Sequence, residues 1–140
     1  MVQPKHYWYI ASPYSAGGLT GERAIALREK RYRAVMRFNV WAIEKKMIAY
    51  SPIVHCHEMA SLYSLPTGHE FWLAFDKAMV LAGGGVIVLC IDGWQESLGV
   101  REEIALAHSS GFPVLFALED AVEDYVLRAD EPNWPWSNSK

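Results

Sequence analysis

The 140-residue chain reads as an α/β protein: a single three-layer domain built on a doubly wound, mostly parallel sheet. Three observations predict this. Short β-branched runs alternate with segments of helical period along the whole chain. Strands run into loops rich in Ser, Pro and Gly. A composition of 51% hydrophobic and 21% charged residues supplies one core, and the length leaves no room for a second ordinary domain.

Tyr7 to Ala11 is a short buried strand, ended by Ser12-Pro13-Tyr14-Ser15 and then Gly17-Gly18. Proline cannot donate to a sheet and glycine frees the backbone, so this is a loop leaving the strand's carboxyl end. From Glu22 to about Lys46 the period is helical, with Tyr32, Val35, Met36, Asn39, Val40 and Ile43 on one stripe. Trp41 lies roughly half a turn from that stripe, which predicts an outward indole available to a second subunit. Met47 to Ser51 is the second strand, Ile53 to Ser64 an irregular stretch or short helix, and Pro66-Thr67-Gly68 a turn. Glu70 to Leu81 is predicted helical, with Phe71, Ala74, Phe75, Ala78 and Met79 as its apolar face. Val86 to Ile91 is the clearest strand. A helix over Leu98 to Ser110, a strand over Pro113 to Ala117 and a last helix over Asp120 to Arg128 complete residues 1–130. Residues 131–140 form a tail whose Trp134 and Trp136 are expected to dock on the body or on a neighbouring chain.

Several function classes start at a disadvantage. The net charge of −3 offers no global attraction to nucleic acid or anionic lipid. Eight of the 13 Lys and Arg residues fall between Arg23 and Lys46, but Glu22, Glu29 and Glu44 are interleaved, as on a solvated helix face. The longest apolar run, Ala78 to Ile91, has 14 residues, short of the ~20 a membrane span requires. The N-terminus carries no apolar signal core, and Cys56 and Cys90 stand apart with no CxxC, so reduced thiols in a cytoplasmic protein are expected. Gly83-Gly84-Gly85 precedes a strand instead of following one, unlike a nucleotide-binding fingerprint. His55 and His57 would share a face if extended, but two histidines without a third ligand make a poor metal site. No metal and no cofactor are expected.

In an open parallel sheet the ligand crevice lies at the carboxyl ends of the strands. The most informative loop there is Asp92-Gly93-Trp94-Gln95-Glu96-Ser97, leading into the helix at Leu98. Ser97 is a plausible cap, and the amides near Leu98 to Val100 suit an anion such as phosphate. Val100, Ile104 and Ala107 define the inward stripe. Glu103 sits roughly 60° from its centre and Glu102 points almost away. Glu103 is thus a semi-buried carboxylate beside the crevice, suited equally to tuned catalysis and to a structural ion pair. Asp76 lies close to its helix's apolar face, although an exposed or capped Asp is the simplest reading of it alone. Asp92 follows a strand directly, where Asp-Gly also forms turns.

Taken together, Tyr9-Ile10-Ala11-Ser12-Pro13-Tyr14, Asp76 and Ser97-Leu98-Gly99-Val100-Arg101-Glu102-Glu103 resemble the nucleoside 2-deoxyribosyltransferase superfamily, over about Tyr7 to Ala117. The closer likeness is to a little-characterised bacterial and phage branch. The resemblance implies a five-stranded parallel sheet of Rossmann or flavodoxin-like type. It also implies cleavage or exchange of the N-glycosidic bond of a 2′-deoxynucleoside or its 5′-monophosphate. It assigns the nucleophile to Glu103, its support to Tyr9, and sugar or base binding with proton transfer to Asp76. Substrate contacts then fall to Ser12, Tyr14, Gly17, Gly18, Asp92, Ser97 and Gly99. Where the transferases commonly carry an acid six positions before the nucleophile, this chain has Ser97, as in the branch that hydrolyses 2′-deoxynucleoside 5′-phosphates. A glycine often found two residues after the nucleophile is Ala105 here. Members are usually oligomers, so at least a dimer is expected. The alternative is a non-catalytic nucleotide-binding module on the same fold.

Overall fold

Successive strand residues point to opposite faces of a sheet, and strand β1 (Trp8–Ala11) uses this to feed two cores. Trp8 and Ile10 enter one, Tyr9 and Ala11 the other. In the computed structural model, which describes residues 2–132, the later elements are α1 (Gly21–Glu44), β2 (Ala49–Tyr50), α2 (Pro52–Tyr63), α3 (His69–Gly83), β3 (Val86–Leu89), α4 (Leu98–Ser109), β4 (Val114–Ala121) and β5 (Asp124–Arg128). Every residue of β1 and β3 is buried, as befits strands covered on both faces. Val35, Phe38 and Ala42 of α1 pack on Trp8, Ile10, Ile87 and Leu89, while Val80 of α3 and Val100 and Ala107 of α4 pack on Tyr9, Val86 and Val88.

The sheet order is β2-β1-β3-β4-β5. The first four strands are parallel, and β5 runs antiparallel to β4. The domain is therefore α/β, with a five-stranded, mostly parallel sheet flanked by helices. The expected helix over Asp120 to Arg128 is instead the return arm of a hairpin, and the sheet is not wholly parallel. The period explains the difference: Tyr125 and Leu127 turn inward while Asp124, Val126 and Arg128 are exposed, an alternation of two. Glu123, at φ 59°, makes the reversal.

The hairpin also corrects the reading of α1. Its buried face is Ala24, Tyr32, Val35, Phe38, Asn39 and Ala42, whereas Val40 and Ile43 are exposed. Trp41 does not stand free for a second subunit. It stacks on Phe38 (5.5 Å, 25°), meets Tyr125 edge-on at 5.3 Å, and donates to Asp124 Oδ1 at 2.9 Å. An outer strand absent from the sequence reading supplies its cover.

Helix α3 is rotated from the expected phase by about one residue, some 100°. Val80 and Gly83 are buried and Asp76 and Met79 partly so, while Phe71, Ala74, Phe75 and Ala78 face out. Its carboxyl end sets this rotation. The Tyr7 hydroxyl donates to the Met79 carbonyl at 2.5 Å, and the Tyr7 ring occupies the space a side chain at Gly83 would fill. Gly84 caps the helix at φ 80°. The three glycines thus let the chain entering β1 lie against α3, with His6 and Tyr7 both donating to the Gly83 carbonyl. Rotation brings Asp76 inward.

Among the described residues, no helix is long and apolar enough to cross a membrane. Cys56 and Cys90 are free and buried. In the tail, Glu131 is exposed and Pro132 buried, and Trp134 and Trp136 lie outside the described residues.

Candidate active site

The carboxyl ends of β1 and β3 open into a cavity of about 540 Å³, within the range typical of small-molecule sites. Helix α4 starts at its rim because Ser97 caps it, the Ser97 hydroxyl accepting from the Val100 amide at 3.2 Å. One and a half turns on, α4 presents Glu103 to the cavity, and the Tyr9 hydroxyl donates to Glu103 Oε2 at 2.6 Å. Burial pushes the Glu103 carboxyl up to about 8. The Tyr9 hydrogen bond opposes this, and the Asp76 and Glu102 charges add to it. Tyr9 itself is raised well above its ordinary value, first by burial and then by the charges of Glu103 and Asp76, so it remains a donor. Glu102 points away as expected, paired with His69 Nε2 at 2.9 Å on an exposed edge.

Asp76 reaches the same cavity from α3. Burial raises its carboxyl to about 6, with the His69 charge opposing. Among the described residues, Asp76 Oδ1 and Ser12 Oγ are buried without a hydrogen-bond partner. Unpaired buried polar atoms are costly, and both of these lie on residues that line the cavity.

Tyr9, Ser12, Tyr14, Gly17, Asp76, Ser97, Gly99 and Glu103 all line this one cavity. Gly18 and Asp92 do not. Gly18 is exposed on the loop beyond it, and the Asp92 side chain is exposed while its carbonyl accepts from Arg31 Nη2 at 3.4 Å. The Asp-Gly turn accounts for this: Gly93, at φ 91°, allows Arg31 to lie where a side chain would stand.

Arg31 is a site residue that the sequence reading missed. On α1 it looked like one more solvated cation. It lines the cavity, donates to the Ser15 carbonyl at 2.6 Å, and so ties the β1–α1 loop to the β3–α4 loop. Burial lowers its guanidinium, with Asp92 opposing. His57 is a second omission, considered from sequence only as a metal ligand. Residues 55 and 57 lie on a helix, where two positions diverge by about 200°; His55 is exposed and His57 buried. Among the described residues no group of three or more His, Cys, Asp or Glu is placed to hold a metal ion. His57 instead accepts or donates at Tyr14, its Nδ1 lying 2.7 Å from the Tyr14 hydroxyl.

Chemically, the cavity joins two carboxyl groups weakened as acids to different degrees, a phenol fixing one of them, and a guanidinium with helix-start amides nearby. That set can attack an electrophilic carbon, hand over one proton and hold an anion. A comparison with curated proteins found no match. The family model described as Domain of unknown function (DUF1937) matches residues 6–119, which include all of the cavity residues named above. The chain belongs to the DUF1937 family.

Proposed function

We propose that this cavity cleaves the N-glycosidic bond of a 2′-deoxynucleoside or its 5′-monophosphate through Glu103, with hydrolysis favoured over base exchange. The observation that carries the reading is the Tyr9-held Glu103 carboxyl on the cavity wall, with Asp76 coupled to it. The sequence likeness to nucleoside 2-deoxyribosyltransferases agrees with it. So does the strand order, with helices on both faces, which fits a doubly wound, flavodoxin-like sheet with its site at the strand ends.

Between about 6 and about 8 the two carboxyl groups together hold one proton. That proton rests first on Glu103, the weaker acid of the two. Positive charge developing at the anomeric carbon favours the Glu103 carboxylate and moves the proton to Asp76. A Glu103 oxygen then bonds to C1′ as the C1′–N bond breaks, and Asp76 gives its proton to the departing base. Asp76, now a carboxylate, takes a proton from the water that attacks C1′ and frees Glu103. Two displacements retain the configuration. Ser97, where transferases carry an acid, together with Arg31 and the Gly99 amide, suits a 5′-phosphate.

The reading includes a cytoplasmic homo-oligomer. Its support is an exposed apolar surface on α2 and α3, where Leu62, Tyr63 and Phe71 are 75%, 77% and 53% exposed. Light scattering should give at least the dimer mass, and a monomer mass would remove this part.

The test of function is chromatography after incubation with the common 2′-deoxynucleosides and their 5′-monophosphates. Free base is expected from at least one. Binding without release would favour the nucleotide-binding module, and neither binding nor release would end both readings.

A further inference from the structure

One wall of the cavity carries a hydrogen-bonded chain that the proposed reaction does not use. Tyr14 comes from the β1–α1 loop, His57 from α2 and Glu29 from α1. The Tyr14 hydroxyl lies 2.7 Å from His57 Nδ1, and His57 Nε2 lies 3.0 Å from Glu29 Oε1. The buried imidazole is stacked on Tyr32, with ring centres 4.0 Å apart and planes at 21°. Arg33 holds the other Glu29 oxygen at 3.0 Å.

We propose that Tyr14, oriented by His57 and Glu29, reads the edge of the ligand's base and selects a heterocycle presenting an amino group there over one presenting a carbonyl. The inference deepens the proposed function and rests on it for the identity of the ligand as a nucleoside. Glu29 fixes the direction of the chain. Its carboxyl is held below the usual range, chiefly by the His57 hydrogen bond, so it only accepts. An imidazole with one ring hydrogen therefore keeps it on Nε2, and Nδ1 becomes an acceptor. Tyr14, whose phenol is raised by burial and stays protonated, spends its one hydrogen on Nδ1. Only its lone pairs remain for the cavity.

Two observations assign the base to this flank. Around His57 the α2 wall consists of Ile53, Cys56 and Ala60, uncharged and suited to a flat heterocycle rather than a phosphate. Asp76, the group that protonates the leaving base, lines the same cavity as Cys56 and His57, and its charge adds to the burial that raises the Cys56 thiol. A base within reach of Asp76 therefore lies beside α2. An amino group there donates to Tyr14. A carbonyl meets a second acceptor, and neither oxygen gains a hydrogen bond from the other.

The experiment measures binding of 2′-deoxyadenosine and 2′-deoxyinosine by calorimetry to the full chain carrying Glu103→Gln, so that no turnover intervenes. The amino nucleoside should bind at least about tenfold tighter. Adding Tyr14→Phe should bring the ratio within about twofold, and adding Glu29→Gln, at a partly exposed position, should narrow it by freeing the tautomer. Nitrogen-15 spectra of the His57 ring should show hydrogen on Nε2 alone, and a mixture in the Glu29→Gln protein. Equal affinities, a ratio unchanged by both variants, hydrogen on Nδ1, or no binding of either nucleoside would overturn the inference. A kept tenfold preference without base release from the unsubstituted chain would end the hydrolytic reading alone. Base release with equal affinities would end the inference alone.

Discussion

Glu103→Gln is expected to lose base release by about a thousandfold or more while making the protein more stable at neutral pH. The sign follows from linkage. Burial holds the folded-state carboxyl near 8, against 4.5 for an ordinary glutamate. Between those values the unfolded chain has released a proton that the folded chain keeps, so stability falls as pH rises through the window. At pH 7 the penalty is on the order of 3 kcal/mol. Glutamine is close in shape, can still accept from Tyr9, and has no proton to lose. Thermal unfolding at pH 5 and pH 8 checks this: the two proteins should melt together near pH 5 and diverge toward pH 8, with the variant higher. A functional group kept at a cost to folding behaves in this way. A Glu103 that merely secured structure would leave the variant less stable at every pH.

The second large effect is on the pH profile of kcat/KM. The proposed reaction needs one proton shared by Asp76 and Glu103, so the profile should be a bell with limbs near 6 and near 8. Below the acid limb both groups are protonated and no nucleophile is present. Above the alkaline limb neither can supply the base with a proton. Tyr9→Phe removes the bond that lowers the Glu103 carboxyl, so it should move the alkaline limb to higher pH and reduce the maximum by about ten- to a hundredfold. Initial rates from pH 5 to 10 decide the matter. A flat or single-limbed profile, or an alkaline limb unmoved by Tyr9→Phe, would contradict the paired-carboxyl mechanism.

Where local pattern and burial agreed, the sequence was legible. The apolar runs of β1 and β3 are buried on both faces, and a serine before Leu98 caps α4, so the helical phase that separates Glu103 from Glu102 could be read directly. Reading failed where exposed apolar residues mimicked a core face. Phe71 and Phe75 imposed a phase on α3 that the contact between Tyr7 and Gly83 overrides. It failed again at β5, whose five residues pair only because β4 offers an open edge, and at Trp41, which that strand covers. Arg31 and the Glu29–His57–Tyr14 chain join residues from separate elements, up to 61 positions apart. No spacing rule reaches that far. Glu103 was thus visible in the sequence by its helical phase, Asp76 only through the family resemblance, and Arg31 and the Glu29–His57–Tyr14 chain were not.

The proposed reaction stands on a covalent bond between Glu103 and the sugar. Mass spectrometry of the protein mixed with a turned-over 2′-deoxynucleotide, quenched in acid and cleaved into peptides, tests it directly. One deoxyribosyl group should appear on the peptide carrying Glu103 and vanish in the Glu103→Gln protein. Base release that persists in that variant, or a sugar adduct on the peptide carrying Asp76, would contradict the account.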